Sequence, residues 1–212
     1  ERGAAGETWS ALPIAVGPGR PPSTDALRVA IAEWAAPIAT TFPALPANPA
    51  MDVLRRRPPR LASTEATPAP GAHDYVGRVL GAVQRLEHSY LAVQGPPGTG
   101  KTYVASHVIA RLVAEHGWRV GVVAQSHAVV EHVLDAVVRA GLDGDLVGKA
   151  VKDPAEVGTR PFTALAKKDD LQRFTAERAG GYVIGGTAWD FCNIKRVPRG
   201  SLDLLVIDEA GQ

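Results

Sequence analysis

The sequence predicts an α/β protein: a parallel sheet with helices on both faces. Three observations predict it. From Tyr75 onward, short apolar runs alternate with amphipathic stretches of helical period, the pattern of strands joined by helical crossovers. The two clearest amphipathic stretches end at Gly117 and Gly141, as helices do when a left-handed residue closes them. Between one apolar run and the next helix lies GPPGTGKT, Gly95 to Thr102, a glycine-rich loop in the setting where such loops bind phosphate.

The elements follow in order. Twelve of the 17 prolines lie in residues 1–70, so this region is expected to be turn-rich and poor in long regular elements. One helix is expected there, Asp25 to Ala36, capped by Ser23 or Thr24 and stopped by Pro37. RRRPPR, Arg55 to Arg60, reads as a solvated linker, with phosphate contact as the alternative. YLAVQG at 90–95 reads as a buried strand ended by glycine. Lys101 to His116 places Val104, Val108, Ile109, Leu112 and Val113 on one helical face. RVGVVAQ at 119–125 is the next strand, and 127–140 the next helix, with Val130, Val133, Leu134, Val137 and Val138 as its stripe. A weaker strand at 146–151, a helix at 162–178, and strands YVIGGT at 182–187 and LDLLVID at 202–208 complete the pattern. The expected division is an accessory segment over 1–72 and an α/β domain over 73–212.

Composition narrows the class. With 45% hydrophobic and 21% charged residues the chain fits an ordinary globular protein. No apolar run approaches the roughly 20 residues of a spanning helix. A single cysteine, Cys192, excludes an internal disulfide framework and a multi-cysteine zinc site, which suits a reducing, cytoplasmic setting. A net charge of +1 means that a nucleic-acid partner would need a local basic surface. The chain opens on Glu1 rather than methionine, and we expect a fragment of a longer protein.

The loop carries the first chemistry. Gly95, Gly98 and Gly100 allow backbone N–H groups to point inward at phosphate oxygens, with Thr99 among them and the following helix adding its positive end. Lys101 can reach the β and γ phosphates of ATP, and the Thr102 hydroxyl can take a position on Mg²⁺. LLVIDEAGQ, Leu204 to Gln212, adds the second part. Its strand delivers Asp208 to the carboxyl edge of the sheet, where ligands gather. Asp208 is suited to hold Mg²⁺ and Glu209 to polarise the attacking water. His127 and His132 are five apart, about 140° around a helix, so they do not form a histidine pair for zinc.

Taken in order, GPPGTGKT, VVAQSHAVVEHVL, GGTAWDF and VIDEAGQ resemble motifs I, Ia, Ic and II of superfamily 1 helicases of the DEAxQ type, the group of the nonsense-mediated-decay RNA helicase and its bacterial relatives. The resemblance covers Tyr90 to Gln212. It implies a RecA-like P-loop NTPase domain, ATP and Mg²⁺ as cofactors, and single-stranded DNA or RNA as partner, with movement 5′ to 3′. It implies further that Gln212 senses the γ-phosphate or the attacking water, and that Ser126, His127 and Thr187 contact the strand backbone. Ser126 as a plain helix cap and Thr187 as a strand-end turn residue remain open. For Trp189 and Phe191, core packing is favoured over base stacking. The adenine-reading glutamine of the family has one candidate, Gln84, closer to the loop than the pattern expects. The resemblance also implies a second RecA-like domain beyond Gln212, so that the fragment alone is expected to be nearly inactive. The accessory region has some similarity to bacterial proteins in which a RecB-like nuclease precedes such a helicase. A protein-remodelling AAA-type ATPase and a nucleotide-binding regulatory module stand as alternatives.

Overall fold

The structure, a computed structural model, describes residues 23–62, 74–151, 158–167, 169–178 and 180–211. Five strands, β1 (Arg119–Val123), β2 (Val147–Ala150), β3 (Thr163–Leu165), β4 (Tyr182–Gly186) and β5 (Leu204–Ile207), form one sheet in the order β3-β2-β4-β1-β5. All four pairings are parallel, so every strand presents its carboxyl end along the same edge. Parallel pairing requires crossovers. These include α5 (His127–Arg139), α6 (Asp170–Ala176) and α7 (Ala188–Cys192), while α4 (Lys101–His116) leads into β1.

Side-chain alternation divides the core between the two faces. Val183 of β4 joins Val120, Val122 and Val147 in a cluster with the inner stripes of α4 and α5, including Ile109, Val130 and Leu134. Its neighbours Tyr182 and Ile184 point the other way, against Leu171 and Phe174 of α6 and Phe191 of α7. A fully buried side chain of this size contributes about 1.5–3 kcal/mol. The first cluster is the larger reservoir of stability. A third cluster joins α3 (Tyr75–Gln84) to α4 through Leu80, Val83, Val108 and Leu112.

Several elements differ from the expectations, each for a tertiary reason. Residues 90–95 form no strand. Leu91 packs on the α3–α4 cluster, but Val93 is 50% exposed and the segment joins no strand pairing among the described residues. The helix expected at 162–178 is split, because Gly148, Lys149 and Ala150 offer a pairing edge to Thr163, Ala164 and Leu165. Only Asp170–Ala176 remains helical. Pro37 does not stop the first helix: α1 spans Asp25–Thr41 with Pro37 inside it. The carbonyl four residues back, on exposed Glu33, loses its usual donor without being buried. The Thr40 and Thr41 hydroxyls donate to the Pro37 carbonyl and hold the last turn.

The accessory region is also more ordered than expected. A second helix, α2 (Pro49–Leu54), begins with the Asn48 side chain accepting from the Met51 amide at 2.8 Å. RRRPPR is not a solvated linker throughout. Arg60 pairs with buried Asp52 and donates to the Glu87 and His88 carbonyls, and Ser89 donates to the same aspartate. This clasp, with the antiparallel bridge of Leu61 to Leu86, fastens the accessory region to the chain entering the phosphate loop. Arg55, Arg56 and Arg57 remain exposed. No helix among the described residues is long and apolar enough to cross a membrane.

Candidate nucleotide site and nucleic-acid edge

The phosphate loop owes its form to glycine. Gly98 and Gly100 have φ of +80° and +83°, a region that costs other L-residues roughly 1–2 kcal/mol. Gly95 is needed for space: an added Cβ would stand 2.6 Å from Thr99 Oγ1. Thr99 in turn donates to the Pro96 carbonyl at 2.8 Å, drawing the loop into a tight turn. Lys101 opens α4 and folds back over the loop, its ammonium donating to the Gly95 and Pro96 carbonyls at 2.6 and 3.0 Å. Thr102 follows it in the first turn, half-buried.

The acidic pair stands at the end of the edge strand. The Asp208 amide donates to the Val123 carbonyl at 2.9 Å, which extends the β1–β5 ladder by one bond and fixes where the carboxylate begins. Glu209 follows in the left-handed region, φ +56°, its amide donating to Asp208 Oδ1 at 3.0 Å. Such strain in a non-glycine residue concentrates at functional sites. No hydrogen bond or ion pair joins Asp208 or Glu209 to Lys101 or Thr102 among the described residues. Gln212 lies outside the described residues.

The donor chemistry fits a magnesium nucleotide. A hydroxyl and a carboxylate are hard oxygen ligands. The Lys101 ammonium rests on neutral carbonyls, and an anionic phosphate oxygen, which adds a full opposite charge to the hydrogen bond, would compete with them.

One strand inward along the same edge, after β1, lie Ser126 and His127, and two strands inward, after β4, lies Thr187. Ser126 caps α5, its Oγ accepting from the Val129 amide at 3.3 Å. A hydroxyl has one donor as well as two acceptor sites, so the cap leaves the O–H free to donate outward. His127 is half-buried, with Nδ1 inside and without a hydrogen-bond partner. Placing the proton on Nε2 leaves a lone pair rather than an N–H stranded, which favours the tautomer that donates toward solvent. His132, on another side of the helix, is exposed. Thr187 is 8% exposed, and its N–H and O–H both donate to Asp190 Oδ2, at 2.9 and 2.8 Å. Phe191 packs on the cluster of Tyr182 and Ile184. Trp189 is 39% exposed and donates its indole N–H to the Ser23 carbonyl, next to the start of α1. Gln84 lies 2.8 Å from His116 Nε2 at the far end of α4, about 22 Å along the helix from Lys101.

One buried group escaped the motif reading. Lys149 of β2 is fully buried, with its Nζ 2.9 Å from Glu131 Oε1, close enough for a charge pair although not aligned as a hydrogen bond. Arg160 bridges Glu131 and Asp135 at 2.9 and 2.5 Å. The network ties the helix behind Ser126 to β2. Its signal was present as the i, i+4, i+8 series of His127, Glu131 and Asp135, which puts three polar groups on one face.

A glycine-rich loop opening a helix, with an acidic pair at the carboxyl edge of a parallel sheet, defines a P-loop NTPase of RecA-like α/β architecture. The chain belongs to the AAA domain family, whose sequence model matches residues 78–212. It is also similar to the Regulator of nonsense transcripts 1 homolog of Drosophila melanogaster, at 34% identity over 65 residues. That match covers 31% of this chain and 6% of the Drosophila protein. The P-loop class carries nucleotide binding with it; the finer assignment rests on the arrangement along the sheet edge.

Proposed function

We propose that this chain carries the first motor domain of an ATP-dependent helicase or translocase of the DEAxQ type, acting on single-stranded DNA or RNA. The observation that carries the proposal is the common edge. The strand-end Asp208 and the outward donors of Ser126 and His127 follow strands of one parallel sheet, and the loop's Lys101 and Thr102 open the helix that leads into its strand β1. Nucleotide and strand would thus be held by the same rigid body. The similarity to the Drosophila protein, a regulator of nonsense transcripts by name, supports this reading.

In this mechanism Lys101 leaves the Gly95 and Pro96 carbonyls for the β and γ phosphates of ATP. Thr102 and Asp208 are the residues that would hold Mg²⁺, which neutralises charge developing on the phosphates. Glu209 orients water and accepts its proton. Gln212 would report the γ-phosphate to the strand. Ser126 and His127 donate to strand phosphates without reading sequence, as expected of an enzyme that moves along any strand.

The test is coupling. Affinity for a fluorescent oligonucleotide is measured with and without a non-hydrolysable ATP analogue, in wild type and in Lys101→Ala. The proposal expects salt-dependent strand binding, a change in affinity on adding the analogue, and loss of that change in Lys101→Ala. No strand affinity even at low salt would favour a protein-remodelling ATPase. Strand binding indifferent to the analogue would favour a regulatory module.

A further inference from the structure

We propose, resting on the nucleotide-site reading above, that Tyr103 is the platform on which the base of the bound nucleoside triphosphate stacks, and that His107 holds its ring in place. The phosphate loop accounts for the grip on phosphate and leaves the base without a seat. Gln84, the candidate for reading adenine, stands at the far end of α4 beside His116. A seat is needed nearer the loop.

Tyr103 follows Thr102 directly. The first backbone bond of α4 runs from the Val104 amide to the Gly100 carbonyl at 2.9 Å, so the amides of Lys101, Thr102 and Tyr103 stay free for phosphate oxygens. A phosphate held by the Tyr103 amide brings the rest of the nucleotide within reach of the same residue's side chain. In a helix the Cα–Cβ bond tilts toward the N-terminus, which here is the loop. Tyr103 is 62% exposed, so its ring is open to a ligand rather than closed off by the core.

The ring is exposed but not free. His107, one turn on, packs against it with ring centroids 4.0 Å apart and planes inclined by 38°. His107 Nδ1 lies 2.8 Å from the Tyr103 carbonyl; a carbonyl only accepts, so Nδ1 carries the hydrogen and donates. This bond fixes the imidazole, and the imidazole supports one side of the phenol. A side chain already held in place loses less freedom when a ligand binds. Base and aromatic faces stack whatever the edge of the base carries, and the wider face of a purine makes more contacts than that of a pyrimidine. The platform thus selects a purine nucleoside triphosphate by area. Tyr103 touches the ligand; His107 is a positioning residue.

Calorimetric titration of the chain with MgATP, MgUTP and magnesium tripolyphosphate tests the platform. Tyr103→Ala removes an exposed side chain, which has little effect on folding. It should weaken ATP binding on the order of 5- to 100-fold, the worth of one base stack, and leave tripolyphosphate, which has no base, unchanged. Wild type should prefer ATP to UTP, and Tyr103→Ala should narrow that gap, whereas Tyr103→Phe should keep it. His107→Ala should weaken ATP by a smaller factor, again without effect on tripolyphosphate, and His107→Phe should restore it; ATP affinity unchanged in His107→Ala would remove the positioning role. If Tyr103→Ala keeps its ATP affinity, or loses tripolyphosphate equally, the platform is wrong while the phosphate site stands. Wild type that binds ATP and UTP alike would overturn it too. If wild type binds neither ATP nor tripolyphosphate, both readings fall.

Discussion

Substituting Gly95 by alanine isolates the part of the phosphate loop that depends on space. The new Cβ would stand 2.6 Å from Thr99 Oγ1, so Thr99 must rotate and give up its 2.8 Å bond to the Pro96 carbonyl. A hydrogen bond of this kind is worth about 1 kcal/mol net, which corresponds to roughly a 5-fold loss of nucleotide affinity if the loop must re-form the turn to bind. Titration of a fluorescent ATP analogue reads this directly. Removing the obstacle supplies the control, since the Thr99 Cβ itself lies 3.6 Å from the added carbon, an ordinary contact. In a Thr99→Ala background, Gly95→Ala should therefore add less than about a 2-fold change, a clear departure from additivity. The thermal midpoint should hardly move, because the loop is mostly exposed. Equal losses in both backgrounds would refute the reasoning, as would full affinity in Gly95→Ala alone.

Two further outcomes test the scaffold. Lys149→Ala leaves Glu131 facing Arg160 without its buried partner and should cost about 3 kcal/mol in urea unfolding. The shape-conserving double variant Lys149→Met with Glu131→Gln should recover most of it, and a loss below about 1 kcal/mol for the alanine variant would mean that the pair is unimportant. Asp203 supplies the pH dependence. Hydrogen bonding from the Arg119 side chain holds its carboxyl below the ordinary carboxylate range, so the folded state favours the ionised form. That stabilisation is complete above the unfolded value, about pH 4, and is lost as the pH falls through the lowered folded value. The stability gap between wild type and Asp203→Asn should be constant near neutrality and shrink in acid; a gap unchanged below about pH 3 would count against the pair.

The phosphate loop and the acidic pair were legible in the sequence because their chemistry is local. Three glycines, a lysine and a threonine at fixed spacing create a phosphate cradle wherever a helix follows. The amphipathic stripes of α4 and α5 were legible for the same reason, since helical period is a property of consecutive residues. Strands were harder. Residues 90–95 have the composition of a strand and join no sheet among the described residues, whereas Thr163–Leu165 became a strand because β2 presented a free edge. Pairing lies with the partner, which is often far along the chain.

Side-chain roles divide in the same way. That residues 126, 127 and 187 stand at strand-to-helix turns follows from sequence order alone. That the Thr187 hydroxyl is turned inward to Asp190, and that Arg196 is the group presented beside it, depends on two helices meeting over one strand end. Arg60 makes the same point. In the sequence it closes a basic run; in the fold it is held by buried Asp52 and by two carbonyls from residues 87 and 88. The sequence by itself determined the nucleotide chemistry, because that chemistry lies within eight consecutive residues and one strand end. Only the tertiary structure decided which charges face outward, because a charge is available only when no other part of the chain has already paired it.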